Sequence, residues 1–540
     1  MSPVPSSDRL REYAVKGVHL GLRQLAQAPE QRAARRLAAQ ASDRIGPEDR
    51  DAPRVAVLTP RSWAPHVQWE AMIAQALRLR GAHVEFITCG GGLEICDRAN
   101  TWEAPPMPCR SCVGYVDPSI AAHGFSAHHL RDGWEGTVGS DWPELDELSM
   151  HDLTGVTYEG VPVGQLVDIP VKWFLMSADV EHDPLAGITY RRFLRTARRL
   201  VAGLSAALDE IDPDVVLLCN GLFLFESVCW ALCRERGIEV VTYERGMIKE
   251  TLVFRRNEAA CLLDVSDLWE QWSETPLTDE EASELAGYLR ERELGLRTID
   301  RFWGGASFDE FARQRSGRLV SMFTNLTWDS AVIGQELAFR GIAEWVTTTI
   351  RAFADRPDDE LVLRIHPAEV KLPGKQTREP IEALVRERFP ELPANVRVIG
   401  AHDSTSSYPL MAASDAVLVF SSTTGLEAAM RAVPVIVAGK THYRGKGFTV
   451  DVSSPDEYLQ RLDEVLDDPA RFAPDPDVVA RYAYLFFFRA PVASPGVEEH
   501  VLGLARLTVS DIDELAPGRK PAVDRICDLV LEPAATSHVP

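Results

Sequence analysis

Four consecutive hydroxyl side chains stand where an apolar segment gives way to a helical pattern. The apolar segment is Ala416–Phe420, and Gly425 follows the hydroxyl run. The run consists of Ser421, Ser422, Thr423 and Thr424. A helix that opens behind such a run directs free backbone N–H groups and the positive end of its dipole toward an anion. One hydroxyl suffices for a helix cap, so the run predicts a phosphate-binding turn, with Glu427 placed to accept from ribose hydroxyls.

A histidine follows a second apolar segment. Leu361–Ile365 has the composition of a buried strand, and His366-Pro367 comes directly after it. Proline stops a strand and fixes the direction of the chain. Histidine can donate a hydrogen bond or place a charge at a phosphate oxygen. The alternative is a turn histidine that satisfies a backbone carbonyl.

A loop rich in cations and glycines follows a third apolar segment, Pro434–Ala438. The loop spans Gly439–Gly447 and contains Lys440, Arg444 and Lys446. An arginine offers a bidentate fork to a phosphate, and a lysine offers a point charge. The composition therefore predicts a flexible anion-binding loop, with a solvated surface loop as the alternative.

These segments all close predicted strands of one α/β domain. Strands are expected at 319–324, 360–365, 396–399, 416–420 and 434–438, with helical patterns between them. The carboxyl ends of parallel strands meet at one edge of a sheet, where open α/β sheets bind their ligands. The side chains after the strands should therefore converge there. Asn325, after the first of these strands, is expected to border a donor phosphate or base.

The first half of the chain shows the same alternation. Strands are expected at 55–59, 84–88, 215–219 and 239–243, separated by helical patterns that end in glycine. Strand, helix and strand in succession are typical of parallel α/β architecture. We predict an α/β protein with two Rossmann-like doubly wound domains that face a cleft, and an N-terminal helical extension. The predicted divisions are 1–50 (extension and linker), 51–310 (first domain), 311–475 (second domain) and 476–540 (helical and loop tail).

The order of the motifs resembles the capsule polysaccharide biosynthesis proteins. These are transferases of GT-B type that include Kdo transferases and are related to bacterial polysialyltransferases. The resemblance rests on His366-Pro367, on Ser421–Gly425 with the acid after it, and on Tyr443–Gly445. It covers roughly residues 320–450 well and the first half more weakly. It implies that His366 and the first three hydroxyls hold the phosphate and ribose of a cytidine sugar nucleotide, and Tyr443 belongs to the predicted binding loop Gly439–Gly447.

A glycosyltransferase also needs a base for the acceptor hydroxyl. The predicted strand 239–243 is followed by Glu244-Arg245-Gly246. The related polysialyltransferases carry two acidic residues and a glycine in a comparable place, so the resemblance implies that Glu244 is the base. Arg245 departs from that pattern, and an ion pair of Glu244 with Arg245 or Arg255 is the structural alternative.

Two further side chains of the first half are expected at the cleft. Asn220 follows the predicted strand 215–219, and His66 comes shortly after the first strand. His66 is an alternative base or an acceptor contact, although turn histidines are common.

Four cysteines cluster within 24 residues among glycines and prolines. They are Cys89, Cys96, Cys109 and Cys112. Four thiolates that end in a Cys-x-x-Cys pair can form a structural zinc site that staples a loop. The first spacing is wider than in common zinc modules, and an iron–sulfur cluster or four unliganded thiols are the alternatives. The other five of the nine cysteines lie in apolar contexts typical of a core.

The composition excludes several classes of protein. A net charge of −23 over 540 residues disfavours nucleic-acid binding. No segment reaches the roughly 18 apolar residues of a membrane helix, and the N-terminus lacks a signal-peptide pattern. We therefore expect a cytoplasmic protein. A basic helical pattern from about Asp8 to Gln40 either contacts an anionic membrane at its inner face or packs on the body of the protein.

The sequence therefore predicts a glycosyltransferase that moves a sugar from a nucleotide-activated donor to a surface-polysaccharide or glycolipid acceptor. The resemblance favours a CMP-sugar, and the chemistry is expected to need no cofactor. Three alternatives stay open: a CDP-polyol phosphotransferase of teichoic-acid type, a nucleotide-sugar epimerase, and a non-catalytic polysaccharide assembly protein.

Overall fold

The structure is a computed structural model that describes most of the chain. The described residues are 27–45, 51–102, 107–139, 141–296, 317–372, 374–500 and 504–532. The start of the predicted N-terminal helix, with most of its basic residues, and the predicted division between the two domains at 310–311 lie outside them. Among the helices that the structure describes, none combines the length and the apolar character that a membrane span requires.

The strands form two large sheets and a small hairpin. They are β1 (Arg54–Leu58), β2 (His83–Thr88), β3 (Ala127–His129), β4 (Val215–Cys219), β5 (Glu239–Arg245), β6 (Thr251–Arg256), β7 (Leu319–Phe323), β8 (Glu360–Arg364), β9 (Val396–Ile399), β10 (Ala416–Val419), β11 (Val435–Val437), β12 (Val450–Asp451), β13 (Val492–Ala493), β14 (Val497–His500) and β15 (Leu504–Leu507).

The helices alternate with the strands in both halves of the chain. They are α1 (27–42), α2 (Ala64–Arg78), α3 (Cys109–Ala122), α4 (Leu130–Trp134), α5 (Met150–Thr154), α6 (Val163–Leu166), α7 (Asp168–Leu175), α8 (Ala186–Ile211), α9 (Leu224–Arg236), α10 (Ser266–Trp272), α11 (Asp279–Glu293), α12 (Ile342–Ala354), α13 (Ala368–Lys371), α14 (Ile381–Arg388), α15 (Ser407–Ala413), α16 (Thr424–Ala429), α17 (Pro455–Asp467), α18 (Pro476–Tyr484) and α19 (Pro521–Leu531).

The second domain has the strand order of a dinucleotide-binding Rossmann fold. Its six parallel strands lie in the order β9-β8-β7-β10-β11-β12. Counted within the domain this is 3-2-1-4-5-6, and the order reverses between β7 and β10. The first domain repeats the pattern with β3-β2-β1-β4-β5, all parallel. The predicted fold class of two Rossmann-like domains is thus confirmed.

Helices cover both faces of each sheet, which is why the strands read as uninterrupted apolar runs. In β1, Ala56 and Leu58 belong to the core on one face, whereas Val55 and Val57 belong to the core on the other. The second sheet has a core on each face in the same way. Over its described part, α1 packs on the first domain, with Leu37 fully buried in one of these cores.

Two antiparallel strands extend the first sheet. β6 turns back along β5, and β13 pairs with β6 although it lies more than 230 residues later in the chain. The last helix, α19, packs on α2, and its Ile526 is buried in the core of the first domain. The sequence prediction of a helical and loop tail omitted β13 and the β14–β15 hairpin. A strand of two residues is too short to leave a periodic signal.

The two domains contact each other through the segment 366–379, which follows β8. Beyond this segment, the indole ring of Trp173 in the first domain meets that of Trp328 in the second edge to face, with centroids 5.2 Å apart. Arg378 forms an ion pair with the fully buried carboxylate of Asp183, and its backbone N–H donates to the Met176 carbonyl over 3.0 Å. The segment therefore fastens the second domain to the first beside the cleft.

This ion pair gives a test of the interdomain contact. Arg378→Ala leaves the Asp183 carboxylate buried without its partner, which should lower stability by about 3–5 kcal/mol. Arg340→Ala removes an exposed arginine from a surface pair with Glu344 and should cost less than about 1 kcal/mol. Urea unfolding followed by tryptophan fluorescence measures both. Equal, small effects for the two variants would contradict the contact.

Candidate functional site

An open cavity of ≈ 640 Å³ lies between the two domains. The second domain contributes the loops after β7, β8, β10 and β11, and the first domain contributes Met247 and the segment 261–264. The predicted site residues that line the cavity are Asn325, His366, Ser421, Ser422, Thr423, Thr424 and Glu427. The sheet order reverses between β7 and β10, so the cavity lies where an open α/β sheet binds ligands.

His366 lines the cavity as a neutral hydrogen-bond donor. Its Nδ1 accepts from the backbone N–H of Ala368 over 3.1 Å, and its own backbone N–H donates to Thr324 Oγ1 over 3.0 Å. Because Nδ1 is an acceptor, the ring proton is assigned to Nε2. Burial, helped by the charge of Arg364, lowers the pKa of His366 to about 4. Near neutral pH the ring can therefore donate a hydrogen bond but brings no charge.

Tyr443 holds the hydroxyl loop, Ser421–Thr424, in position. This fully buried tyrosine donates to the Ser422 carbonyl over 2.5 Å. A Cβ at Gly425 would lie 2.2 Å from the same phenol oxygen, so only glycine permits this approach. Neither Tyr443 nor Gly425 lines the cavity; both position the loop instead. The helix behind the loop, α16, has only six residues, so the hydroxyls matter more than its dipole.

Two of the hydroxyls differ in what they contact. Ser422 Oγ accepts from the Thr424 N–H over 3.2 Å and lies 2.9 Å from Thr424 Oγ1, so it shapes the loop. Ser421 Oγ is buried and has no hydrogen-bond partner among the described residues. Asn325 Oδ1 accepts weakly from the Ser421 N–H over 3.5 Å. A buried hydroxyl without a partner is costly, and a bound anion in the cavity would supply one.

Of the three loop cations, one lines the cavity and two are engaged elsewhere. Arg444 donates to the Val437 and Val452 carbonyls, and Lys446 Nζ donates to Ser266 Oγ of α10 over 2.6 Å. Neither Arg444 nor Lys446 lines the cavity, so the structure does not bring these two predicted residues to the site. Lys440, in the same loop, lines the cavity and is exposed.

Glu427 lines the cavity within an ion pair that the sequence did not reveal. Arg292 Nε donates to Glu427 Oε1 over 2.6 Å. Burial opposes the charge on Arg292, but the adjacent carboxylate outweighs it, and the pKa of Arg292 is raised. Arg292 comes from α11, more than 130 residues before Glu427, and no local motif links the two. One carboxylate oxygen of the predicted ribose acceptor is therefore already occupied.

Glu244 adjoins the cavity but does not line it. Asn220 Nδ2 donates to its Oε2 and the Arg245 N–H to its Oε1, each over 2.8 Å. Burial raises the pKa of Glu244, and the neighbouring Asp329 adds to the rise. Asn220 itself is 2 % exposed and also accepts from the Leu222 N–H, so it positions Glu244 rather than a ligand.

Asp329 is the carboxyl group that the sequence analysis missed. It lines the cavity from the loop after β7, and one of its oxygens accepts from the Ala331 N–H over 2.9 Å. Burial raises its pKa above the ordinary aspartate value. The only signal in the sequence was the position of Asp329, four residues after Asn325 in the segment that follows a predicted strand.

His66 is a core residue, so its prediction as a catalytic group is corrected. Helix α2 begins two residues before it and directs the ring into an aromatic cluster with Trp63, Trp69 and Tyr243. Its Nδ1 lies 3.1 Å from Tyr243 Oη. Burial, with the charges of Arg245 and Arg61, holds the pKa of His66 well below its usual range.

Three further predicted contacts also have structural roles. Arg245 pairs with Glu499 of β14 over 3.0 Å, away from the cavity lining. Gly246 makes the turn into β6, where a Cβ would lie 2.2 Å from Thr251 Oγ1. Pro367 occupies the N-cap position of α13 and is not among the lining residues. The four clustered cysteines surround a separate, smaller cavity.

Comparison with known protein families identifies one match. Residues 280–466 match the family described as capsule polysaccharide biosynthesis protein. The resemblance drawn from the motifs is confirmed for this segment. It contains the strands of the second domain from β7 to β12, and all seven predicted residues that line the cavity. Among curated proteins, none matches the chain.

Solved structures are similar only at a distance. KpsC of Thermosulfurimonas dismutans, a beta Kdo 2,7 transferase, is 15% identical with a TM-score of 0.33, over 58% of this chain and 88% of that one. Its beta Kdo 2,4 transferase is 15% identical with a TM-score of 0.36, over 56% and 87%. S. aureus MnaA in a co-structure with UDP is 12% identical with a TM-score of 0.28, over 80% and 94%. These values support no inference about residues or substrates.

The two serines of the hydroxyl loop give a test of the ligand-free site. Ser421→Ala removes a buried hydroxyl without a partner, so the free energy of unfolding should stay the same or rise slightly. Ser422→Ala removes the loop hydrogen bonds and should lower it by about 1 kcal/mol. Denaturant unfolding without nucleotide measures both. If Ser421→Ala destabilises as much as Ser422→Ala, the Ser421 hydroxyl is not available to a ligand.

Proposed function

We propose that the protein is a glycosyltransferase that moves a sugar from a nucleotide-activated donor to a surface-polysaccharide or glycolipid acceptor. The observation that carries the proposal is the convergence of His366 and the loop Ser421–Thr424 on one interdomain cavity. The match of residues 280–466 to capsule polysaccharide biosynthesis proteins supports the same activity.

The second domain binds the phosphates of the donor in this proposal. Sugar transfer leaves negative charge on the departing nucleotide, and donors already aimed at that charge stabilise the transition state. The Nε2–H of His366, the Ser421 hydroxyl and the Lys440 ammonium are such donors. Because His366 is neutral, Lys440 supplies the positive charge. The phosphate contacts thus come from side chains, and we propose that no metal ion is needed.

Asp329 acts as the base that takes the acceptor proton. A carboxylate serves best as a base when its pKa is raised toward the working pH, and burial raises the pKa of Asp329. Glu244, predicted from the sequence as the base, has a hydrogen bond on each oxygen and stands beside Asp329. With both oxygens engaged, Glu244 is less available to an acceptor hydroxyl than Asp329.

The first domain faces the acceptor, and the nucleobase is chosen by the cavity wall. The resemblance favours cytidine, so CMP is the first nucleotide to test. Segment 261–264 of the first domain and residues of the loop Asn325–Val332 of the second both line the cavity. Closure of these segments on the donor would exclude water from the reaction.

Nucleotide binding tests the donor site directly. CMP, CDP, UDP and GDP are each added to the full chain, and the shift in unfolding temperature is measured. One nucleotide at 100 times its Kd should stabilise the protein by about 2.7 kcal/mol. His366→Ala should lose this stabilisation, whereas His402→Ala, which removes an exposed histidine of the same domain, should keep it. Stabilisation that persists in His366→Ala would refute the assignment.

Product analysis separates this activity from its rivals. A glycosyltransferase releases the nucleotide only when an acceptor is present. Because the proposed reaction needs no metal ion, EDTA should not prevent this release. Release of CMP from a CDP-polyol indicates a phosphotransferase, and change of the donor alone indicates an epimerase. Binding without turnover of any donor indicates an assembly protein.

The pH dependence of transfer tests the base. A base must be unprotonated, so kcat should fall as the pH drops through the raised pKa of Asp329. Asp329→Asn should lower kcat by about 10²–10⁴-fold with nucleotide stabilisation unchanged, and the acid limb of the profile should disappear. Asp355→Asn, an exposed control, should behave as the wild type. If Glu244→Gln instead removes the acid limb while Asp329→Asn keeps it, Glu244 is the base.

A further inference from the structure

The interdomain cavity has a second histidine in its wall, in addition to His366. His442 lies in the loop after β11, two residues beyond Lys440, and is 8 % exposed. The cations of this loop carry the sequence prediction, and the imidazole among them has no role in it. A ring nitrogen of a neutral histidine either donates or accepts a hydrogen bond, so the role of His442 depends on which nitrogen carries the proton.

Two aromatic side chains hold this imidazole in place. It stacks on Phe486, with ring centroids 3.9 Å apart and an interplanar angle of 6°. Tyr443 meets it edge to face, with centroids 4.9 Å apart. Phe486 belongs to a π-helical turn, Leu485–Arg489, that continues α18, and such turns are frequent at functional sites. The plane of the His442 ring is therefore fixed.

Tyr482 of α18 decides which ring nitrogen carries the proton. Its hydroxyl donates to the His442 backbone carbonyl over 2.6 Å. A phenol has one hydrogen, so the same oxygen can only accept from His442 Nδ1, which lies 2.9 Å away. The ring proton is therefore assigned to Nδ1, and Nε2 keeps its lone pair. This is the opposite of His366, whose Nδ1 accepts and whose Nε2 is assigned the proton.

The lone pair on His442 Nε2 has no partner within the part of the chain that the structure describes. The atom is buried, and none of the described residues donates a hydrogen bond to it. Burial lowers the pKa of His442 to about 3, against the charge of Asp264 and with that of Lys446, so the nitrogen binds no proton near neutral pH. A buried acceptor without a donor is costly. Because His442 lines the cavity, a ligand there can supply the missing donor.

Phosphate groups cannot be that donor. His366 Nε2, Ser421 Oγ and the Lys440 ammonium carry hydrogens, which suit the oxygens of a phosphate. The phosphates of a nucleotide sugar carry no hydrogen near neutral pH, so their oxygens repel a further lone pair. His442 Nε2 needs an O–H or N–H group instead. It therefore marks the part of the cavity that receives the uncharged part of a nucleotide.

Asp264 adds a second acceptor from the first domain. It lines the same cavity, and its charge acts on the His442 ring. The backbone N–H and the hydroxyl of Ser266 both donate to Asp264 Oδ1, over 2.9 and 2.5 Å. These bonds leave Oδ2 as an acceptor for a ligand. Two acceptors fit a ligand group with two hydrogens, either the 2′- and 3′-hydroxyls of a ribose or the amino group of a base.

We propose that His442 is a specificity-determining residue that accepts, together with Asp264, hydrogen bonds from the ribose hydroxyls or the base amino group of the nucleotide. The inference rests on the proposed function, because it takes the ligand to be a nucleotide. It also orients that ligand in the cavity. Lys440 supplies charge to the phosphates, and the imidazole two residues further along the same loop meets the nucleoside.

The nucleotide affinity of the full chain tests the role of His442. The nucleotide that stabilises the wild type most is titrated into each variant by calorimetry. His442→Phe keeps an aromatic ring on Phe486 but loses the acceptor, so its Kd should rise about 10-fold. His442→Gln, whose amide oxygen can replace the lone pair, should recover part of the affinity. His123→Phe changes a buried histidine outside the cavity and should bind as the wild type does. A wild-type Kd in His442→Phe would overturn the inference.

Nucleotide analogues identify the ligand group that His442 contacts. The analogues lack the 2′-hydroxyl, the 3′-hydroxyl or the amino group of the base, and loss of the contacted group should weaken wild-type binding about 10-fold. In His442→Phe, loss of the same group should have no further effect, because the contact is already absent. A hydroxyl identifies the ribose as the contacted part, and the amino group identifies the base. Additive losses for all three analogues would count against any contact with His442.

Tyr482→Phe tests the assignment of the ring proton. The variant removes the acceptor of the Nδ1–H, so the ring can carry its proton on Nε2, and the affinity should fall toward that of His442→Phe. Tyr458→Phe removes another buried tyrosine hydroxyl of the second domain, which lies 2.7 Å from Thr349 Oγ1. It should lower the unfolding temperature without a change in Kd. Wild-type affinity in both variants would contradict the lone pair on Nε2 and with it the inference.

Failure of the proposed function gives a different result, because no nucleotide then stabilises the wild type. Nucleotide binding that is lost in His366→Ala and unchanged in His442→Phe refutes the role of His442 alone. Loss of affinity in both variants, with His123→Phe unchanged, supports the function and the inference together.

Discussion

Parallel pairing of β7 with both β8 and β10 is the constraint on which the candidate site depends. These two ladders bring the ends of three strands that are far apart in sequence to the same edge of the sheet. The order reverses at this pair, so the loops after β7 and β10 diverge and leave a crevice between them. The hydrogen bond from the His366 N–H to Thr324 Oγ1 then ties the loop after β8 to the loop after β7. Without this pairing, the histidine and the hydroxyl run would be unrelated surface features.

Residues that do not line the cavity hold the loops that form it in place. Tyr443 approaches Gly425 so closely that any side chain at position 425 would displace it, and its hydroxyl donates to the Ser422 carbonyl. Arg444 holds two backbone carbonyls near the ends of β11 and β12, so the loop that carries Lys440 is anchored. The guanidinium group of Arg444 thus has a structural role, while Lys440 lines the cavity. Placement of a binding group on a supported loop is what preorganised recognition requires.

Sequence reasoning located the part of the site that lies directly after strands. His366 and Ser421 were found because an apolar strand followed by polar residues is a local pattern. Arg292 was missed because it reaches the cavity from a distant helix. Asp329 was missed because it lies further along the loop after β7 than Asn325, not directly after the strand. Which of the three loop cations reaches the cavity could not be read from the sequence, because it depends on the atoms that lie near each side chain. His66 was misplaced because the direction in which α2 leaves the strand is a tertiary property. The fold class was accessible, whereas the return of β13 and α19 to the first domain was not.

One short segment contributes both to the cavity and to the domain contact. The segment 366–379 begins with the histidine of the cavity and ends with Arg378, whose partner Asp183 is buried in the first domain. Between them, the carbonyls of Gly374 and Gln376 accept hydrogen bonds from the side chains of Asn100 and Trp102 in the first domain. A rearrangement of the first domain therefore moves the anchors of His366 along with it. This continuity gives a physical route by which a movement of the first domain can alter the position of His366 at the cavity.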